Sequence, residues 1–333
     1  MLVIETSPDD VLASRFAVSP VGETARLLTS LTRGPGPDTA LLRRLRSSFE
    51  PIARTPEVRL LSYLHGPGSG ADFAAPPPES MAQSIFHDAA AIAAASPSTV
   101  RTELELLRAH RSPPAELSEV LADPALPARV ADAVLAVWHA VVEPEWPRIF
   151  TVLQRDVRFR AERLSRDGWG AALAGIHKRL TWNNGEIAVS RFPDSRIRLD
   201  GRGLLFIPSV FVAPGVALTT DAPWQPSITY PARGIGTLSE GAAEPLESLS
   251  RLLGPTRAQI VSLLSEPAST TQLGVLTGVS LSGISGHLGV LRDAGLITRE
   301  RAGRSVLYRL TPIGEALHGA ARAHTGDSRP GVP

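Results

Sequence analysis

Between Leu252 and Leu310 the pattern changes from helix to helix to strand with almost no room for loops, and that spacing is the tightest constraint in the chain. A short helix is expected from Thr270 to Thr277, closed by Gly278. Ser280 then suits an N-cap, because its hydroxyl can accept from backbone N–H groups that the first turn leaves unpaired. Ile284, Leu288 and Leu291 follow at helical spacing, and Gly295 ends that helix before the apolar pair Leu296-Ile297. Leu296 to Arg301 and Ser305 to Leu310 read as a hairpin around Ala302-Gly303-Arg304. Two helices separated by about three residues and followed by a basic hairpin make a winged helix-turn-helix, a device for holding one helix in a DNA groove.

This stretch resembles the ArsR family of bacterial regulators. The likeness is carried by Leu253-Gly-Pro-Thr-Arg257, Ile260-Val-Ser-Leu-Leu264, Ser285, His287, Leu288, Leu291, Gly295, Leu296, Gly303-Arg304 and Tyr308-Arg309-Leu310. It implies a homodimeric repressor that binds an inverted repeat in double-stranded DNA. It also implies a dimer interface in which the last helix, with Ile313, Ala316, Leu317 and Ala320 on one stripe, pairs with a helix carrying Leu246, Leu249 and Leu253. A last helix packed into the module's own core is the alternative. Family members often sense metals through a cysteine pair, but here the corresponding stretch is Thr270-Thr271-Gln272-Leu273. Glu315, His318, His324 and Asp327 fit a second family metal site poorly in spacing, and they read better as solvated side chains. No metal and no cofactor is expected.

With Ile284, Leu288 and Leu291 turned inward, a step of about 100° per residue puts Ser282, Ser285, Gly286, Gly289 and Asp293 on the outer face. Recognition is assigned to 281–294 and the wing to 298–309. Candidate DNA contacts are Thr271, Gln272, Ser280, Ser282, Ser285, Gly286, His287 and Arg292, with Arg299, Arg301 and Arg304 in the wing. Short hydroxyls and glycines discriminate bases weakly, so phosphate contacts and DNA shape must carry more of the binding. His287 fits a packing role as well as a contact.

Composition narrows the remaining classes. The chain of 333 residues has a net charge of +1 and no cysteine, which excludes a disulfide framework and a globally basic DNA coat. No apolar run reaches the length of a membrane span, and the start Met-Leu-Val-Ile-Glu lacks the features of a signal peptide, so a cytoplasmic protein without membrane partners is expected. Gly66-Pro-Gly-Ser-Gly70 lacks the Lys-Ser/Thr of a phosphate-binding loop, and no nucleophile elbow, zinc-protease helix or dinucleotide fingerprint is present. An enzyme is not expected.

The fold class is α+β: a mostly helical N-terminal domain with a small β-sheet, over 1–238, then a winged helix-turn-helix over 246–323. A polar linker is assigned to 239–245 and a disordered tail to 324–333. Leu2 to Glu5 is a candidate strand, a helix starts at Trp146-Pro147, and a second helix runs from Trp169 to Leu180. Asn183-Asn184-Gly185 reads as a hairpin turn, Gly203 to Val212 as a buried strand and Ser227 to Tyr230 as another. Through Arg15-Phe16, Pro76-Pro77-Pro78, Trp146-Pro147, Asp156, Arg160, Gly201-Arg-Gly203, Pro208-Ser209 and Tyr230-Pro-Ala-Arg-Gly234, this region resembles an uncharacterised domain fused to such regulators in actinobacteria. It is expected either to sense a small-molecule effector or to serve as a protein-interaction scaffold. Trp146, Phe150, Trp182, Phe211 and Tyr230 could line an effector pocket with Arg160 or Arg233 as polar anchor. The same aromatics equally suit an ordinary core, and Asp156 with Arg160 a simple helix ion pair.

Overall fold

The computed structural model describes residues 1–32, 40–66, 70–81, 83–183, 185–212, 215–239, 247–265, 267–302 and 305–326. Residues 240–245 of the expected linker, Leu246, the wing tip Gly303-Arg304 and the tail from Asp327 lie outside them. Ser239, by contrast, ends a short helix, Gly236–Ser239, and 324–326 of the expected disordered tail belong to the last helix. The chain forms two compact units: Met1–Asp38, Leu42–Trp146 and Asp156–Arg233 in the first, and Thr39–Leu41, Pro147–Arg155 and Gly234–Pro333 in the second.

The first unit combines helices with two four-stranded sheets. One sheet has the order β3 (Leu180–Asn183), β4 (Glu186–Val189), β1 (Leu2–Glu5), β5 (Ser195–Arg198), and the other β2 (Arg15–Phe16), β6 (Leu205–Ser209), β8 (Ser227–Pro231), β7 (Ala217–Thr219). The expected strand at Leu2 forms with those bounds, antiparallel to β4 and parallel to β5. Asn183 pairs with Glu186, so the β3–β4 connection is a two-residue hairpin, with Gly185 at φ +83°. β6 and β8 are parallel and almost wholly buried, which explains the apolar run that starts β6; in β8 the buried Ser227 and Thr229 alternate with Ile228 and Tyr230. Where a single small sheet was expected from the sequence, strand pairing across the length of the unit builds two.

Helix starts follow a repeated local rule, a hydroxyl cap and then proline. Ser7, Thr55 and Ser96 each accept a backbone N–H in the first turn and are followed by Pro8, Pro56 and Pro97, whose missing N–H costs nothing there. The helix at Trp146 runs to Leu173 but is broken at Gly168, where φ is +79°. The helix expected over Trp169–Leu180 therefore ends at Leu173, because Leu180 has already joined β3. The helices Pro20–Thr32, Pro56–Leu64, Ile85–Ala93 and Leu126–Val137 pack together and bury, among others, Leu28, Leu61, Ile92 and Val134.

Charge is built into this interior. Asp10 caps its own helix through Ser7 and also accepts from the amides of Gly201 (2.8 Å) and Gly203 (3.2 Å). Burial works to raise its carboxyl, yet hydrogen bonds from Ser7, Gly203 and Gly201 together hold it below the usual range. Gly203 has φ +66°, and a Cβ there would lie 2.6 Å from the carbonyl carbon of Ala13, so only glycine fits. Asp88 is fully buried, accepts from the Val21 amide at 3.0 Å and from Gln83, and is pushed up to about 6 by burial.

The Asp156–Arg160 pair is an interior cluster and not a surface helix pair. Asp156 Oδ2 accepts from Arg160 Nε at 3.1 Å and from the Tyr230 hydroxyl at 2.7 Å, while Oδ1 accepts from the Arg233 amide. Arg160, 1% exposed, also donates to the Ala172 carbonyl and stacks over the Tyr230 ring. Burial, reinforced by Asp156, raises the Tyr230 phenol well above its ordinary range. The aromatics expected to share a pocket with these groups do not converge. Trp146 meets Trp138 edge-on, Arg233 covers Phe159, Phe150 belongs to the second unit and Phe211 lines a separate cleft.

Candidate nucleic-acid interface

In the second unit Ser269 and Gln272 form a reciprocal capping box at the start of the helix Thr270–Thr277, and Gly278 closes it in the left-handed conformation. The next helix, Leu281–Asp293, starts on Ser280, whose hydroxyl accepts from the Gly283 amide at 3.3 Å. The two helices meet at 112°, the angle of a helix-turn-helix. Small residues permit that approach: a Cβ on Gly274 would sit 3.2 Å from both Leu281 and the Val279 carbonyl oxygen. Ile284, Leu288 and Leu291 are buried, as their spacing predicted, and fix which side of the second helix faces out.

That outer side carries Leu281, Ser282, Ser285, Gly286, Val290, Arg292 and Asp293, with His287 and Gly289 half-buried at its border. The Ser285 hydroxyl donates to the Leu281 carbonyl at 2.8 Å, leaving its oxygen lone pairs outward. A Cβ on Gly286 or Gly289 would meet nothing within 4 Å, so the protein's own packing does not require either glycine. Arg292 is held by Asp293 at 3.1 Å, which lowers its net charge toward a partner.

The wing consists of β9 (Ile297–Ala302) and β10 (Ser305–Leu310), antiparallel with Arg299 opposite Tyr308. Ala268 adds a third, one-residue strand through two hydrogen bonds with Tyr308, a pairing the sequence did not disclose. On this ribbon Arg309 pairs with Glu300 at 2.7 Å, whereas exposed Arg299 has no ion-pair partner among the described residues. Arg301 is also exposed.

Of the other candidate contacts, Thr271 and Ser280 are exposed, but Gln272 is only 8% exposed. Its oxygen accepts from the Ser269 amide and its nitrogen donates to Gln154, so both ends of its amide are engaged inside the unit. The Ser269-x-x-Gln272 spacing is itself a capping-box signature and was the available signal. Arg155 ties the same segment to the unit by donating to the Leu263 carbonyl at 2.6 Å.

Residues 252–300 match the family model for a helix-turn-helix domain, and residues 73–236 match a family of unknown function, DUF5937. The HTH-type transcriptional regulator NmtR of Mycobacterium tuberculosis is 34% identical over 95 residues, covering 26% of this chain and 79% of that protein. The chain belongs to the ArsR family. It is a transcriptional regulator with a helix-turn-helix DNA-binding domain. No solved structure matches it.

The last helix is Pro312–Gly326. The Thr311 hydroxyl caps it through the Gly314 amide at 3.2 Å. Gly314 packs so closely that a Cβ would fall 2.2 Å from the Leu296 carbonyl oxygen. Ile313, 66% exposed, and Ala316 and Ala320 point to solvent, with Leu317 half-buried. Leu249, on the helix Glu247–Leu253, is only 1% exposed, so it belongs to the core of its own unit rather than to a free interface; on that helix the exposed leucine is Leu252, at 66%. Leu253 is half-buried. Among the described residues no group of three or more His, Asp or Glu is placed to hold a metal, and no single helix is long and apolar enough to cross a membrane.

Proposed function

We propose that this chain acts in the cytoplasm as a homodimeric, sequence-specific repressor. The recognition helix over 281–294 lies in the major groove, and the wing over 298–309 lies on the backbone or in the minor groove. The observation that carries this reading is the outer side of the recognition helix: exposed Ser282, Ser285 and Gly286, with nothing within 4 Å of a Cβ at Gly286, and an exposed Arg299 on the adjoining ribbon that has no ion-pair partner among the described residues. Short side chains let the helix backbone approach the base edges, and the arginines supply the phosphate attraction that dominates affinity. Exposed Leu252 and Ile313 supply apolar surface for a two-fold partner, which sets two recognition helices about one helical turn apart. The region over 1–238 senses an effector, and the linker over 239–245 couples it to the module over 246–323.

Light scattering together with footprinting of DNA upstream of its own gene tests this reading. It requires a dimer that protects an inverted repeat with half-sites spaced by about 10 bp or a multiple. A monomer protecting one half-site would overturn it.

A further inference from the structure

The first unit contains a cleft of about 610 Å³, a volume in the range of small-molecule sites. One wall is the helix Pro20–Thr32, which turns Gly22, Ala25, Arg26 and Thr29 toward it, and another is the edge of the β6–β8–β7 sheet. Apolar surface comes from Phe192, Ile207, Phe211 and Leu218. Two guanidinium groups, those of Arg26 and Arg179, line the same cleft. Neither has a carboxylate within ion-pair distance among the described residues. Arg26 Nη2 donates instead to the Thr229 hydroxyl at 2.6 Å, and Arg179 Nε is buried with no hydrogen-bond partner.

Burial lowers the Arg26 guanidinium from its ordinary range, opposed by the charges of Glu23 and Asp72. Cations held so on the wall of a half-apolar cleft, with no carboxylate in ion-pair distance, are expensive to keep unless something negative completes them. The other titratable groups there do not supply that charge. Burial, helped by Arg26 and Arg111, pushes His65 down to about 4, so it is neutral at physiological pH. Burial, helped by Glu103, pushes Asp72 up to about 7, with Thr219 donating to it; burial also pushes Glu23 up to about 7. Both carboxyls are therefore largely protonated in mildly acid solution. The cleft is then left with the charge of Arg26 and Arg179.

We propose that this cleft binds an organic acid, its carboxylate or phosphate held between Arg26 and Arg179 and its apolar body lying along Phe192, Phe211 and Leu218. The proposal deepens the effector-sensing reading above and rests on it for its regulatory meaning. It replaces the pocket expected around Arg160 and Tyr230, which the Asp156 cluster fills. Arginine suits the task because its planar fork pairs two oxygens of one anion at once.

The test is calorimetric titration of the full chain with benzoate, 2-naphthoate, decanoate and phenyl phosphate, each acid beside a neutral counterpart: the primary amides, and phenol for the phosphate. At least one acid should bind, at least ten-fold more tightly than its neutral counterpart and more tightly at pH 6 than at pH 8. The carboxylic acids and phenyl phosphate separate the two anion types. Arg179→Gln, which removes no internal hydrogen bond, should weaken that binding at least ten-fold without changing the melting temperature; Arg26→Gln should do the same with some loss of stability. Equal binding of acids and neutral counterparts, or binding indifferent to both substitutions, would overturn the site. If an acid binds in this way but leaves operator affinity unchanged, the site stands and the effector reading falls.

Discussion

The two units handle charge differently. Among the described residues the first unit buries four carboxyl groups, Asp10, Glu23, Asp88 and Asp156, together with Arg160, whereas the second buries no carboxyl group and one arginine, Arg155, which donates to the Leu263 carbonyl. Both units leave large apolar side chains in water, Met1, Leu12, Met81, Phe86 and Leu106 in the first and Leu252, Leu281, Val290, Val306 and Ile313 in the second, but in the second they accompany the exposed wing arginines Arg299 and Arg301. A buried charge must be matched group by group, which makes an interior specific and sensitive to protonation. An exposed apolar and cationic surface awaits a partner. The first unit thus reads as the part that responds to solution chemistry, and the second as the part that docks.

The sharpest way to break this contrast is Asp156→Ala. It leaves the Arg160 guanidinium buried beside Tyr230 without its counter-charge, a loss of about 3–5 kcal/mol. All five tryptophans fall at or before Trp224 in the first unit, so their fluorescence follows that unit alone. The tryptophan unfolding midpoint should fall steeply. A shift of less than a degree would mean that the cluster is not structural.

Smaller by about half is the effect of a methyl at the glycines that only one geometry tolerates. Gly203→Ala places Cβ against backbone and requires φ +66°, costing about 1–3 kcal/mol in the first unit. Gly314→Ala also sets a Cβ against backbone, 2.2 Å from the Leu296 carbonyl oxygen in the second unit, and should displace the last helix. The first should move the tryptophan transition and the second should raise the dimer dissociation constant. The reverse assignment would contradict the division between units.

Protonation sharpens the contrast further. Burial raises Glu23 to about 7 from 4.5, Asp72 to about 7 from 3.8 and Asp88 to about 6 from 3.8. Between those ordinary and shifted values the unfolded chain ionises while the folded one does not. The stability these groups contribute is complete below about pH 4 and declines as pH rises to about 7. His65, lowered to about 4, acts against this below pH 6.5. Glu23→Gln should therefore narrow the difference in tryptophan-monitored melting temperature between pH 6 and pH 8. An unchanged difference would remove Glu23 from the account.

The smallest effect concerns a glycine that packing does not require. Gly286→Ala should stabilise the recognition helix by up to about 1 kcal/mol, because alanine loses less backbone freedom and nothing lies within 4 Å of the added carbon. If DNA approaches this face closely, the same change weakens binding, so stability and affinity move in opposite directions. Both rising together would place DNA elsewhere.

How much of this could be read in advance depended on distance along the chain. The helix-turn-helix was legible because its determinants are local: Ser280 caps, Gly278 and Gly295 terminate, and Ile284, Leu288 and Leu291 share one stripe. The strand at Leu2 was legible as an apolar run, but not its pairing with Val189 and Ser195, far away in sequence. Burial of charge left no local signal. Asp156 and Arg160 have the spacing of any surface ion pair until Tyr230 and the Arg233 amide close over them. Nor did the sequence say that Arg26 and Arg179, from distant segments, would line one cleft.

Under the proposed function the outward face of the helix Leu281–Asp293 reads DNA. Ser285→Glu sets a negative charge on that face, where the side chain is exposed and only its hydroxyl contacts the helix itself. Anisotropy titration of the full-length variant and the unmodified chain on the footprinted duplex, with melting temperatures alongside, measures the consequence directly. The account predicts a loss of affinity of about a hundred-fold or more, from repulsion by the phosphates, with the melting temperature unchanged. Equal affinity of the two proteins would contradict it.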